Sequence, residues 1–307
     1  MYTKSKILFL HSITPLHAGS GSEIGIVDLP IQREKHTHFP KIEASSLKGA
    51  LREAFEKKLG EDNLEVHLVF GYDEDADKSE IVSKKLTENG KEKNTEYSGA
   101  VAFSDARLLL FPVKSGKNTF AYITCPYILS RFNEELNISG KNQLNISPEI
   151  NNINKMPGNA IISSNSLCIS NSNIMLDEYV FKSSVDKSIS NELKKYLDIP
   201  ELDSRLVVLG DDDFTKFALN STEIITRIKI NNETGTVEEG ALFNEEYLPA
   251  ESVLYSMIFV SGIFNEVKGN LNSDNDVLDF ISNNMPQYFQ IGGNATLGKG
   301  IVKTKLS

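Results

Sequence analysis

Asp28 and His17 are the residues most able to do chemistry in this sequence. His17 is one of only five histidines, and between the two runs Ala18-Gly19-Ser20-Gly21-Ser22, a loop small enough for another backbone to come close. A carboxylate in an exposed loop can hold a divalent metal, or orient a hydroxyl for attack on a neighbouring phosphate. An Asp two residues before Pro30 can equally do no more than shape a turn. His17 has the same two readings, a proton donor or a hydrogen-bonded structural residue. Glu245 and Tyr247, in Asn244-Glu245-Glu246-Tyr247-Leu248-Pro249, read from their residues alone as a solvated acidic strand end before a proline.

A second group could bind a polyanion. Leu47, Ala50, Leu51, Ala54 and Phe55 recur at helical spacing and predict a helix from about residue 46 to 59, with Ser45 or Ser46 as its cap. The free N–H groups of such a helix start attract anions, and Lys48 and Arg52, one turn apart beside Gly49, add full charges. These residues could clamp a phosphate backbone, or only cap and solvate the helix. The glycine-rich stretch Gly292-Gly293-Asn294-Ala295-Thr296-Leu297-Gly298-Lys299-Gly300 is a second place where a phosphate chain could approach the backbone.

Two familiar motifs fail. The 293–300 stretch begins like a P-loop, but position 300 is Gly where Ser or Thr should meet magnesium, and seven residues are too few for the required helix. Gly19, Gly21 and Gly25 miss the dinucleotide spacing by one and open no helix. No aromatic pair suits base stacking in the RRM manner. The two cysteines stand far apart, which excludes a disulfide framework and a Cys-x-x-Cys zinc site.

The bulk numbers set the frame. The 307 residues can bury a sizeable core; 40% are hydrophobic and 24% charged, as in ordinary globular proteins. No apolar run approaches membrane-spanning length and the first residues do not read as a signal peptide, so a cytoplasmic protein with no membrane partner is expected. The net charge of −10 argues against nucleic acid until its distribution is considered. Residues 31–58 hold seven Lys or Arg against four acids, and the tail from Gly292 holds three Lys and no acid. Residues 60–98 hold eleven acids against five Lys, so most of the acidity sits in a surface excursion.

The elements that must position these groups follow from periodicity. Residues 6–12 (KILFLHS) form a first strand, and strands are expected at 100–103, 106–113, 119–124, 160–170, 178–182 and 251–260. A helix starts at Pro126, and others are expected at 191–197, 211–219 and over 277–281 behind a Ser273 or Asp274 cap. A short helix is expected near 81–86, and 137–160 reads as a long loop. Alternation at Ile224, Thr226, Ile228 and Ile230, a turn at 231–235 and a return over 236–243 make a hairpin. The order is compatible with an α+β, ferredoxin-like sheet.

The run His17…Gly19-Ser20-Gly21…VDLPIQRE (27–34)…Ser45-Ser46-Leu47-Lys48-Gly49, with the C-terminal glycine loop, resembles the RAMP superfamily of CRISPR proteins, and within it the backbone subunit of the type III-B (Cmr) effector complex. The resemblance covers both ends and 226–249. It implies one RAMP domain: an RRM-like palm at about 1–60, 99–136 and 250–307, insertions at about 60–98 and 137–222, and a β-hairpin thumb at about 223–248. It also implies the activity. Asp28 would cut target RNA paired to a CRISPR RNA guide, at regular intervals, by divalent-metal-dependent (Mg2+ or Mn2+) endoribonuclease chemistry, with Asp28 as the metal-holding residue. His17, Glu245 and Tyr247 would assist, and Ser45, Ser46, Lys48, Gly49, Arg52, Gly292, Gly293, Asn294, Gly298 and Lys299 would grip the guide. Partners would be the guide, the target RNA, further copies of the chain and other Cmr subunits. Two alternatives stay open: a non-catalytic RNA-binding scaffold, and a ribonuclease that processes the CRISPR RNA itself, using His36 or His38 as a second acid–base group.

Overall fold

The computed structural model describes residues 2–22, 27–72, 82, 84, 97–231, 235–264 and 267–307. The helix expected near 81–86 and the tip of the 231–235 turn fall largely outside these residues. The strand Lys4–Ser12 lies between Ile301–Leu306 and Val253–Val260, antiparallel to both. Val253–Val260 pairs in turn with Ala106–Lys114, again antiparallel. Fourth strand, first strand, third strand, second strand is the ferredoxin-like order, with the helices Ala44–Leu59 and Asp274–Asn284 as its two crossovers. The α+β expectation holds.

Burial explains why these segments pair this way. Ile7, Leu8, Phe9 and Leu10 are all buried, the signature of a strand covered on both faces. Phe9 and Tyr255, paired across neighbouring strands, receive Phe132 of the helix Pro126–Ile138 at 5.9 Å and 4.7 Å between ring centres. The Ala44–Leu59 helix buries Leu47, Leu51 and Phe55, and Phe55 meets Phe280 of the Asp274–Asn284 helix at 6.0 Å. Phe132→Ala would cost about 3–5 kcal/mol, the usual range for emptying such a site.

Ser273 caps its helix through a reciprocal capping box with Asp276. The first helix is capped differently from the expectation. Neither Ser45 nor Ser46 is its cap; Glu43 holds that position without a side-chain bond. Asp105 reaches across from between two strands and accepts the N–H of Ala44 at 3.0 Å, while also taking Lys41 at 2.8 Å. A carboxylate already answers the charge at this helix start, so the phosphate clamp expected there loses part of its attraction.

Strands from residues 137–222 continue the same sheet beyond Phe120–Thr124. Leu206–Leu209 pairs with it in parallel, then come Asn159–Ile162 and Tyr179–Val185. The stretch read as a long loop contains a short helix, Pro148–Asn152, and the strand Asn159–Ile162. The strands Glu223–Ile230 and Val237–Tyr247 form a separate two-stranded sheet that leaves the palm. Their register puts Ile225, Arg227, Phe243, Glu245 and Tyr247 on one face, and Ile224, Thr226, Ile228, Leu242, Asn244 and Glu246 on the other.

Candidate functional site

The VDLPIQRE segment is bolted to the foot of this hairpin through Ile31 and Arg33. Glu246 is buried and accepts from the Ile31 N–H at 3.0 Å, from Arg33 at 2.5 Å and from the Thr222 hydroxyl at 2.8 Å. Arg33 also donates to the carbonyls of His38 and Ala218. Gln32 links Gly19 to the start of the first helix through its amide, and Glu34 pairs with Arg131 at 2.6 Å. These side chains are structural. What they position is Asp28.

Asp28 is exposed, and its Oδ2 accepts the backbone N–H of Asn244 at 2.7 Å. Leu29 continues the contact as a strand would: its N–H donates to Asn244 O and its carbonyl accepts from Glu246 N. Residues 28 and 29 are therefore the stub of a third strand on the hairpin edge. The second carboxylate oxygen of Asp28 has no protein partner among the described residues.

On the Arg227 face of the hairpin, Glu245 gathers a cluster. The Tyr247 hydroxyl donates to its Oε2 at 2.6 Å and the Asn294 amide to its Oε1 at 2.6 Å. The Arg227 Nε lies 2.7 Å from Oε2, and His17 Nε2 lies 3.6 Å from Oε1. His17 donates from Nδ1 to the Glu246 carbonyl at 2.7 Å, because a carbonyl can only accept, so its Nε2 side faces the cluster. Lys299 Nζ stands 4.8 Å over the Tyr247 ring. Burial works against ionisation of Glu245, but the hydrogen bonds from Tyr247 and Asn294 and the charges of His17 and Arg227 outweigh it and hold the carboxyl below its ordinary range. Burial, then the Glu245 contact, pushes the Tyr247 phenol up.

Both glycine clusters are cut to fit His17. A Cβ on Gly19 would meet His17 Nε2 at 2.7 Å, and one on Gly292, which has φ +85°, would meet the His17 carbonyl at 2.4 Å. Gly293 N–H donates to that same carbonyl. The sequence placed the C-terminal loop with the guide-gripping residues; the structure brings Asn294 and Lys299 into the cluster with His17, Glu245 and Tyr247.

The residues expected on the first helix form a separate group. Ser45, Lys48 and Arg52 line a groove of about 520 Å³ with Tyr72, Gly99 and Phe103. Burial, and then the Arg52 charge, lowers the Lys48 pKa, and Lys48 donates to the Val101 carbonyl at 3.2 Å. Arg52 is ion-paired with Glu56. Gly49 is exposed on the same helix and Ser46 half-buried. The processing alternative gains nothing: the His36 ring meets Tyr127 and His38 sits in a left-handed turn, with no hydrogen bond or ring contact from either to His17 among the described residues.

Asp105, Glu246, Arg33 and Arg227 were not among the expected site residues. Glu246 lay in plain view inside the Glu245–Tyr247 string, where strand alternation separates it from its neighbours. Asp105 gave no local signal, since it acts on a helix 61 positions away. Among the described residues no three His, Cys, Asp or Glu side chains stand close enough to cage a metal, and no helix is long and apolar enough to cross a membrane.

The profile of the RAMP superfamily matches residues 9–303. The chain belongs to the RAMP superfamily. This RAMP chain is 34% identical over 319 residues to the CRISPR system Cmr endoribonuclease Cmr4 of Pyrococcus furiosus, with 99% of this chain and 96% of that protein covered. Its fold matches the crystal structure of oligomeric Cmr4 from Pyrococcus furiosus, with a TM-score of 0.71 and 26% identity over 99% of this chain and 98% of that one. It also matches a chain of the type III-B Cmr-beta complex bound to cognate target RNA, with a TM-score of 0.72 over 99% and 98% of the two chains; at 24% identity this is a likeness of fold.

Proposed function

We propose that this chain is the repeated, RNA-binding backbone subunit of a type III-B CRISPR effector complex and an endoribonuclease that cuts guide-paired target RNA. Copies stack along the guide with other Cmr subunits, in the cytoplasm, and base pairing supplies sequence specificity while the protein reads backbone. The observation that carries the reading is the placement of Asp28: one oxygen held by the thumb, the other without a protein partner among the described residues, on the edge of the strand that bears Glu245 and Tyr247.

The reaction is transesterification. The 2′-oxygen of one nucleotide attacks the adjacent phosphorus, the bond to the 5′-oxygen breaks, and a 2′,3′-cyclic phosphate and a 5′-hydroxyl result. Asp28 orients the 2′-hydroxyl and accepts its proton. His17 has Nδ1 committed to a carbonyl, so Nε2 is the nitrogen that gives a proton to the leaving 5′-oxygen. Glu245 and Tyr247 hold that ring in place. A divalent ion, Mg2+ or Mn2+, would be held by the free oxygen of Asp28 together with phosphate oxygens of the RNA, and would supply charge neutralisation at the phosphate. The single carboxylate oxygen fits that shared mode of binding. Gly49, Lys48, Arg52, Ser45 and Ser46 face the guide from the first helix, and Gly292, Gly293 and Gly298 let RNA come close to the C-terminal loop.

The test compares wild type and Asp28→Ala in the assembled complex on end-labelled RNA complementary to the guide, with Mg2+ and with EDTA. A ladder of evenly spaced cuts, lost in the variant and in EDTA while target binding persists, is the expected result. Equal ladders from both proteins would place the chemistry elsewhere.

A further inference from the structure

We propose that Arg227 is a catalytic residue of this site, donating to the non-bridging oxygens of the scissile phosphate. This rests on the cleavage reading above and adds the one function that reading leaves without a protein group. As the 2′-oxygen attacks and before the 5′-oxygen departs, negative charge builds on those two oxygens. Asp28 is an anion and His17 serves the leaving group, so neither answers that charge. A guanidinium is the side chain suited to it, with fixed donors that match phosphate geometry.

Four observations single out Arg227. It stands on the same hairpin face as Glu245 and Tyr247, by register with Phe243. Its guanidinium is drawn inward, to the Tyr247 hydroxyl and the Glu245 carboxylate, and its side chain is only 24% exposed. Yet its Nε lies 2.7 Å from Glu245 Oε2 without an aligned hydrogen bond, so that contact is held by charge. A guanidinium held to a carboxylate without aligned bonds gives up less on moving to a phosphate than a bidentate pair would. Asp28 lies along one edge of this two-stranded sheet and Arg227 on the far strand, roughly two strand spacings or about 10 Å apart in backbone. A nucleotide whose 2′-hydroxyl meets Asp28 brings its phosphate between them. Arg227 then exchanges Glu245 for the phosphate, and Asn294 and Tyr247 keep Glu245 in place.

The experiment uses the assembled complex carrying Arg227→Gln or Arg227→Lys, under single-turnover conditions. Target RNA carries a phosphate, or an Rp or Sp phosphorothioate, at one cut position, and target binding and thermal melting are measured in parallel. Arg227→Gln is expected to slow cleavage about 100-fold, the usual effect of removing one donor to a developing oxyanion, with target affinity unchanged and the complex still folded at the assay temperature, though melting lower than wild type. Arg227→Lys, which keeps the charge and loses the fork, falls between. Wild type is expected to be slowed by sulfur at one of the two oxygens, and Arg227→Gln to lose that discrimination. Wild-type rate in Arg227→Gln, an unchanged thio effect, or a loss of cleavage matched by loss of binding or by unfolding at the assay temperature overturns the assignment. An active wild type with a silent Asp28→Ala control assigns such a failure to Arg227 alone. An inert wild type, or an active Asp28→Ala complex, overturns the cleavage reading and this inference with it.

Discussion

The backbone N–H of Asn244 donates to Asp28 Oδ2 at 2.7 Å, across 216 positions of sequence. The loop residue and the hairpin are thereby one unit, and whatever moves the hairpin foot moves the carboxylate. Asp28→Asn keeps an oxygen to accept that N–H while removing the charge and the base. Assembled complexes carrying it are expected to bind guide and target as wild type does, to melt within about 1 °C of it, as for a surface change, and to leave target RNA intact. Cleavage by Asp28→Asn at the wild-type rate would show that the charge is not used.

Glu246 contributes through structure. Its buried pair with Arg33 has little solvent to replace a lost partner, and removing one side leaves an uncompensated charge. Glu246→Ala is expected to destabilise the chain by about 3–5 kcal/mol, read as a lower midpoint in denaturant. Arg33→Met with Glu246→Gln removes both charges, and a double-mutant cycle is expected to show strong coupling between the two sites. Additive losses would mean that the pair does not act as a unit.

The ionised Glu245 gives the cluster a pH dependence of definite sign. Its carboxyl ionises more readily in the folded chain than in the unfolded one, since burial is outweighed by Tyr247, Asn294, His17 and Arg227. Such a group adds stability that is fully present above the ordinary carboxylate range and is lost as pH falls through its lowered folded value. Thermal melts of wild type and Glu245→Gln should therefore converge on acidification below that range. A gap that stays constant would contradict the assignment.

Gly292→Ala places a methyl group against the His17 carbonyl at a backbone angle that disfavours any side chain. The cost is expected to exceed about 1 kcal/mol, and the displacement falls on His17. Cleavage should drop more than target binding. Equal activity would mean that the His17 position is not critical.

Lys48 faces a groove rather than the cluster, so its effect should be one of binding. Lys48→Ala is expected to weaken binding of single-stranded guide RNA across sequences and to reduce the slope of log affinity against log salt by about 0.7, one phosphate's share. An unchanged slope would remove Lys48 from the RNA path.

Much of this was legible in the residues themselves. Ile7 to Leu10, the Leu47–Leu51–Phe55 stripe, Ser273 and the alternation from Ile224 to Ile230 each carry a local pattern that dictates an element. Asp28, His17, Glu245 and Tyr247 were picked out by the family resemblance rather than by any local pattern of their own. What stayed hidden depends on contacts between distant segments. Asp105, not a serine, accepts the first helical N–H because the folded sheet delivers a carboxylate there. Lys299 and Asn294 joined the cluster through a close approach that glycine permits and no spacing rule encodes. Arg227 carries no local signal, because its partners Glu245 and Tyr247 lie on the other strand of the hairpin.

The alternating faces of the Val237–Tyr247 strand also limit how this hairpin can change length in evolution. Fasteners (Asn244, Glu246) and the groups proposed to serve catalysis (Glu245, Tyr247) interleave one by one. An insertion or deletion of a single residue between the tip and Asn244 must therefore be absorbed as a bulge, or it would turn the acid toward the bolts and the bolt toward the RNA. Changes in pairs preserve the order. Related chains should accordingly vary freely in thumb length in steps of two, while odd steps appear only beside a bulge such as the one already present between Ile228 and Ile230.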